Sequence, residues 1–354
     1  MKILVMALSG IGDALMFSPA LRLLRQKYPD ATIDLLAMFR GVADIYRHNP
    51  DLTSVIYWDF LKELPIRSLA FVLFDLRPRH YDVSLSVYPQ NRREYNLIGW
   101  MIHAPRRLAH RYLHHSTSGF DFLNTELVIE RDALHNVEEN VHLVEEFNVQ
   151  HPAILPTLQI GLTDSERDFA ARWLYQAGIP VRTLLIGFHA GSATMKNHIR
   201  RRWKLEKFAE LGNKLMQTHD AQILLFGGPD EYELNDRINE LMDGKAIPVK
   251  VDGILSSIAI MEKCKGFVTN DSGLMHIASA VSLPTVAIFA YTNPDWVHPW
   301  KTKFRIVRHE MKCSPCFYYS PRPASCKWDT DQFRCIEHIE VEEVLRTAEE
   351  LFFS

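Results

Sequence analysis

No stretch of about 18 apolar residues free of charge occurs in this chain, so nothing in it reads as a bilayer-spanning helix. Neither charge sign is in excess. Lys and Arg total 40 against 43 Asp and Glu, a net charge of -3, and a nucleic-acid partner would need a local basic stripe that composition does not supply. No export leader is expected either, since Met1-Lys2 runs directly into the short apolar segment Ile3 to Leu8, followed by Gly10 and Gly12. The expectation is a cytoplasmic protein with reduced cysteines, whose contact with the inner membrane is peripheral at most. Repeats of solenoid length and low-complexity segments are also lacking, which excludes array architectures.

What is present is an alternating pattern. The 354 residues, 47% of them hydrophobic, are long for one core and suit two domains. KILVMAL is followed by helically spaced apolar residues from Asp13 to Tyr28, then by ATIDLLAM, a second helical stretch, TSVIYW and YDVSLSVY. After position 180 the same rhythm returns: RTLLIGFHA, a helix over Leu205 to Thr218, AQILLFGG, a helix over Asp230 to Met242, CKGFVTND and PTVAIFAYT. Short apolar runs separated by helical segments are βαβ units, so the fold class is α/β with two Rossmann-like parallel-sheet domains. Prolines and turn formers around 150 to 165 place the linker there, giving domains 1–160 and 161–354, with a helix starting at Asp164. The tail Glu340 to Phe353 sets Val341, Val344, Leu345, Ala348, Leu351 and Phe352 on one face, a closing amphipathic helix. Two such domains facing each other would leave a cleft at the carboxyl ends of their strands.

The motifs fall at those strand ends. Ser9-Gly10-Ile11-Gly12-Asp13 joins the first strand to the first helix, but the third glycine of a dinucleotide fingerprint is replaced by Leu15, so a nicotinamide or flavin reading is poor. Asp13 reads either as a first-turn acid favourable to the helix dipole or as a general base. Thr269-Asn270-Asp271-Ser272-Gly273-Leu274-Met275-His276 turns a strand into a helix, exposing backbone N–H groups suited to a diphosphate. His276 lies one turn in, on the face of Ser272, as a structural or a ligand-contacting histidine. Gly191-Ser192-Ala193-Thr194 precedes a basic run containing Arg200, Arg201 and Arg202, at least one of which is placed to reach phosphate oxygens. Phe226-Gly227-Gly228-Pro229-Asp230-Glu231 suits a nucleoside, with Glu231 either on ribose hydroxyls or simply opening a helix.

KILVMALSGIGDALMFSPALRLLRQKYPDATID and TNDSGLMHIASAVSLPTVAIF together resemble the opening segment and the donor-phosphate segment of glycosyltransferase family 9, the lipopolysaccharide heptosyltransferases. With the Arg-Arg-Trp segment and the cysteine-rich end, the likeness covers nearly the whole chain. It implies the GT-B fold, an inverting transfer that requires no metal cofactor, and ADP-heptose as donor. By position it makes Asp13 the base and Arg201 the basic residue before Trp203. Glu231 becomes the acid near the nucleoside, and Ser272, Gly273, Leu274 and His276 the diphosphate cradle; Asp271, Gly191, Ser192 and Thr194 join the expected donor site through their own motifs. Three positions depart from the family pattern, Ala190, Lys204 and Ala290-Tyr291, where proline, proline and Gly-Pro are usual; all border the donor pocket and bear on the sugar's identity. A GT-B transferase using another nucleotide sugar or a protein acceptor, and a non-catalytic nucleotide-sugar-binding module, are the alternatives.

Residues 91 to 115 carry Arg92, Arg93, Arg106, Arg107 and Arg111, four histidines and one acid, Glu94. The reading is either a polar helix face or, with Gly12, a site for an anionic glycan or glycolipid acceptor such as inner-core lipopolysaccharide near lipid headgroups. Finally, Cys313-x2-Cys316-x9-Cys326-x8-Cys335 has a spacing within reach of a structural four-thiolate zinc or iron site.

Overall fold

The computed structural model of the chain describes residues 1–114, 119–318 and 323–354. Position 115, the last histidine of the basic segment, lies outside them. Residues Met1–Gly161 form one compact unit, and the described residues from Leu162 onward form a second.

The first unit is built on β1 (Lys2–Ala7), β2 (Thr32–Ala37), β3 (Ser54–Tyr57), β4 (Val83–Ser86), β5 (Arg106–Arg111) and β6 (Glu126–Ile129). The second contains β7 (Leu184–His189), β8 (Ala221–Leu225), β9 (Ile247–Pro248), β10 (Gly266–Asn270), β11 (Thr285–Ile288) and β12 (Phe304–Val307). Their orders are β3-β2-β1-β4-β5-β6 and β12-β11-β10-β7-β8-β9. Every pairing is parallel. Read from the other edge, the second order repeats the first, and both are doubly wound sheets whose strand order reverses once. The reversal falls between β1 and β4 in one unit and between β7 and β10 in the other. Chain direction diverges there and no crossover covers the carboxyl ends, so a crevice remains.

The central strands explain the continuous apolar runs. Helices pack on both faces of a parallel sheet, so Ile3, Leu4, Val5, Met6 and Ala7 are all buried without alternation, as are all five residues of β10. In the first unit Leu4, Met6, Leu36, Phe71, Tyr81 and Ile98 form one cluster, and Trp58 stacks on Phe71 with ring centroids 4.2 Å apart.

In the second unit the final helix, Val341–Phe352, buries Val341, Val344, Ala348 and Phe352 against the sheet. Phe352 seats its ring where Gly266 has no side chain; a Cβ at 266 would land on that ring. Tail and sheet therefore fit through a residue pair 86 positions apart. Phe352→Ala should cost about 3–5 kcal/mol, the usual scale for emptying an aromatic site in a core. Urea unfolding of the two proteins measures it, and a loss under about 1 kcal/mol would mean that the last turn does not hold the second unit together.

Candidate functional site

In the first unit β1 ends at Ala7, and Gly10 takes the N-cap position of the helix Ile11–Leu15 without a side-chain cap bond. Asp13 is the third residue of that helix, in its first turn, where a carboxylate is favoured by the dipole. The turn is held from across the reversal point by Gln90, whose Oε1 accepts from Leu8 N–H at 2.6 Å and whose Nε2 donates to Met6 O at 2.6 Å. This side-chain amide prolongs the β1 ladder beyond the last residue of β4. Gln90 N–H in turn donates to the Tyr112 hydroxyl at 2.5 Å. Burial pushes the Tyr112 phenol well above its ordinary range, and the negative charges of Glu130, Asp13 and Glu139 add to the effect. Burial raises Tyr95 as well, with Arg92 opposing and Glu94 and Asp13 reinforcing the shift. Asp13, Arg92, Tyr95 and Tyr112 thus share one electrostatic neighbourhood at the carboxyl end of the sheet, beside Gly12. Arg93 opens the helix Arg93–Ile102 from an exposed position, its Nε 3.2 Å from Glu94.

Arg106 and Arg107 do not join this group. They start β5, in register with Val83 and Ser84, and so stand toward the amino end of the parallel sheet, away from Asp13. Arg106 forks onto Glu126 with two bonds of 2.7 Å and lies over the Phe147 ring, and Arg107 donates to Leu123 O and Ala104 O. Their hydrogen bonds fasten the strand to its own neighbours. The periodicity of 91 to 115 suggested a helix face and a loop, and gave no sign of this strand.

In the second unit the strand ends at the reversal point carry a denser network. Asn270, the last residue of β10, donates from Nδ2 to Ala190 O at 2.8 Å and accepts Trp203 N–H on Oδ1 at 3.0 Å. Gly191 follows, and a Cβ there would occupy the space of the Glu231 carboxylate, so only glycine lets this loop pass. Glu231 Oε2 lies 3.0 Å from His189 Nε2 and accepts Gly228 N–H at 3.2 Å, while Arg202 reaches Oε1 at 3.5 Å. Burial raises the Glu231 pKa, but the charge and hydrogen bond of His189, the Gly228 amide and Arg202 outweigh it, and the net shift is downward. Glu231 is therefore held as a carboxylate.

Arg202 also donates to Ser192 O at 2.6 Å and to Ser192 Oγ at 3.2 Å, and Ser192 Oγ donates to His198 O. Arg201, in contrast, pairs with Asp271 at 2.7 Å, and Asp271 accepts from Thr292 Oγ1 at 2.6 Å. The two adjacent arginines thus divide between the two loops, and Arg201 Nε keeps no protein partner. Ser272 caps the helix Gly273–Ala280; Gly273 and Leu274 are half-buried at its start, and Thr194 is exposed. His276, 4% exposed, has an Nδ1 without a hydrogen-bond partner, a buried polar atom that is costly unless something occupies it. His189 here, with Gln90, Tyr95 and Tyr112 in the first unit, was not singled out in the sequence, whereas Arg202 and Asn270 were named there within their motifs. The signal for His189 was available, since it ends a buried apolar strand directly before a glycine loop.

All five cysteines are free thiols. Cys313, Cys316, Cys326 and Cys335 line one small cavity with Trp328, Phe333 and Arg334. Burial and the neighbouring cysteines push the Cys335 thiol up to about 11 and raise Cys316 too. Among the described residues no group of three or more His, Cys, Asp or Glu is placed to hold a metal, so the zinc or iron expectation gains no support.

Two buried histidines give the second unit an acid-sensitive limb. Burial lowers His276 to about 4 and His198 to about 3, the latter helped by the Arg201 charge. Both lie below the ordinary 6.5, so the unfolded chain binds protons first and stability falls as pH drops below about 6.5. The loss is at most about 1.4 kcal/mol per pH unit for each group. Urea unfolding between about pH 7 and about 5 should show it, and His276→Gln should flatten part of the slope; an unchanged slope in that variant would show that His276 is not buried in its neutral form.

Residues 74–324 match the family model described as glycosyltransferase family 9 (heptosyltransferase). Over 322 residues the chain is 28% identical to lipopolysaccharide heptosyltransferase 2 of Salmonella typhimurium, covering 87% of this chain and 88% of that protein. The solved structure of the glycosyl transferase family 9 protein from Veillonella parvula superposes with a TM-score of 0.79 at 23% identity, covering 99% of this chain and 97% of that one. E. coli ADP-heptose lps heptosyltransferase II gives 0.76 at 23% identity, with 99% and 98% covered. At that identity the structural likeness speaks for the fold alone. The family match spans most of the chain and agrees with two doubly wound parallel sheets whose polar clusters sit at the strand-order reversals: the protein belongs to glycosyltransferase family 9 and is an enzyme of the GT-B fold.

Proposed function

We propose that this enzyme transfers heptose from ADP-heptose to an inner-core lipopolysaccharide acceptor, with inversion and without a metal ion. The reading is carried by an acidic glycine turn at the strand-order reversal of the first unit, together with a helix that opens at the reversal of the second with Ser272 in its N-cap position. Asp13 accepts the proton of the acceptor hydroxyl as that oxygen attacks the anomeric carbon. The bond from that carbon to the phosphate oxygen breaks from the opposite side, and its electron pair leaves with the nucleoside diphosphate. The developing charge is met by the N–H groups at Ser272, Gly273 and Leu274 and by Arg201, fixed donors that need no reorganisation. Gly191, Ser192 and Thr194 line the approach, Glu231 lies toward the nucleoside, and His276 offers Nδ1. Arg92 and Arg93 supply positive charge for an anionic acceptor. No described helix is long and apolar enough to cross a membrane, so an acceptor carried on lipid would be met at the membrane surface.

A different nucleotide sugar is favoured by one feature. Tyr291, at a position where the family usually carries proline, places its hydroxyl 3.1 Å from His198 Nδ1 beside Ser192, altering the side chains near the donor loop. A turnover screen of ADP-, UDP- and GDP-sugars separates the two readings, ADP-heptose being expected to react fastest.

The base is tested by Asp13→Asn. Gly10 holds the cap position and asparagine keeps the shape of the side chain, so fold and donor affinity should be retained. Turnover should fall about 10²-fold or more. Transfer at close to the unmodified rate would leave Asp13 a helix-start acid and remove it from the chemistry.

A further inference from the structure

His189 stands buried at the end of β7 between two partners: Nε2 is 3.0 Å from Glu231 Oε2, and Nδ1 is 2.9 Å from Ser272 Oγ. Thr269, opposite it on β10, places Oγ1 3.4 Å from Nδ1 and 3.2 Å from Ser272 Oγ. The Thr269 hydrogen is used on Asn270 O at 2.8 Å, so toward His189 and Ser272 this hydroxyl can only accept. The charged groups nearby are already paired, Glu231 with Arg202 and Asp271, next to Ser272, with Arg201.

Counting hydrogens on this chain leaves two arrangements. A neutral His189 must carry its proton on Nε2, because a bare Nε2 would set a lone pair against the Glu231 carboxylate. Its Nδ1 is then an acceptor, the Ser272 hydroxyl donates into it, and Ser272 has only lone pairs to offer a ligand. A doubly protonated His189 donates from both nitrogens. Ser272 Oγ then accepts from Nδ1, and its own hydrogen is free to point outward. An anionic oxygen arriving at the helix start can be bonded by Ser272 only in the second arrangement, unless Nδ1 is left buried and unpartnered.

We infer that His189 is a positioning residue that takes up one proton as the donor diphosphate binds, turning the Ser272 hydroxyl from the imidazole toward a phosphate oxygen. This rests on the reading of Ser272 as part of the donor cradle. Its pH consequence follows from linkage: the complex holds the proton more tightly than the free enzyme, so affinity falls with rising pH, by up to about tenfold per pH unit. The proton comes from solvent and is replaced by the buffer, while the diphosphate keeps its charge.

The test is calorimetric. ADP-ribose, UDP-glucose and GDP-mannose carry diphosphates esterified at both ends, which do not titrate near neutral pH. Whichever binds is titrated into the enzyme from about pH 6 to about pH 9, in buffers of different ionisation enthalpy. The expected result is a heat that depends on the buffer, showing uptake of up to one proton, together with an affinity that falls as pH rises. Ser272→Ala leaves His189 and Glu231 in place and should abolish the uptake. His189→Gln should do the same and make affinity flat with pH, which loss of a merely structural contact would not do. Binding without proton uptake across this range overturns the inference while leaving the donor site standing, and so does uptake that persists in Ser272→Ala. If none of the three nucleotides binds, the donor-site reading falls and the inference with it.

Discussion

Where two parallel strands diverge at a strand-order reversal, the ladder between them ends, and in each unit a buried side-chain amide bonds the backbone there. Gln90 bonds Leu8 N–H and Met6 O past the end of β4. Asn270 bonds Ala190 O and Trp203 N–H at the end of β10. A buried amide can satisfy a donor and an acceptor together, which a carboxylate in the same place could not do without taking up a proton. Both turns that carry the candidate chemistry hang on these amides: the glycine turn to Asp13 in one case, the Gly191-Ser192 loop in the other. The rest of each site is arranged around backbone already fixed by them.

The buried charges at the strand ends of the second unit are set in pairs. Arg201 neutralises Asp271, and Arg202 neutralises Glu231, whose other oxygen lies against His189 Nε2. Buried pairs of this kind contribute little net stability, because desolvation offsets their attraction, but removing one partner leaves the other stranded. Gly191 belongs to the same arrangement, since the Glu231 carboxylate fills the space a side chain would need.

Particular residues mark how far the sequence could be read. The strand ends and glycine turns were legible because buried parallel strands are continuous apolar runs and the turns interrupt them with small polar residues. The helix start from Ser272 to His276 could be placed because small polar residues and a glycine follow a buried apolar strand there, and helical spacing sets residues four apart on one face. The basic segment misled, since Arg106 and Arg107 look like surface charge yet begin a strand, and their partners Glu126, Leu123 and Ala104 are chosen by its register. The cysteine spacing suited a metal finger, but spacing constrains only the chain path, and in the fold the four thiols line a cavity without forming a metal cage.

By itself the sequence determined what depends on neighbours a few residues apart: the βαβ rhythm, the place of the glycine turns, the amphipathic final helix, and the family likeness carried by contiguous motifs. Only the tertiary structure decided which side chains meet. Gln90 reaches Leu8, and His189 stands between Ser272 and Glu231, because the strands carrying or preceding them are adjacent at a reversal of order. Adjacent arginines take different partners because their side chains leave the backbone in different directions. Periodicity is a property of local geometry, whereas pairing across a sheet depends on strand order and register, and those are set by the packing of the whole unit.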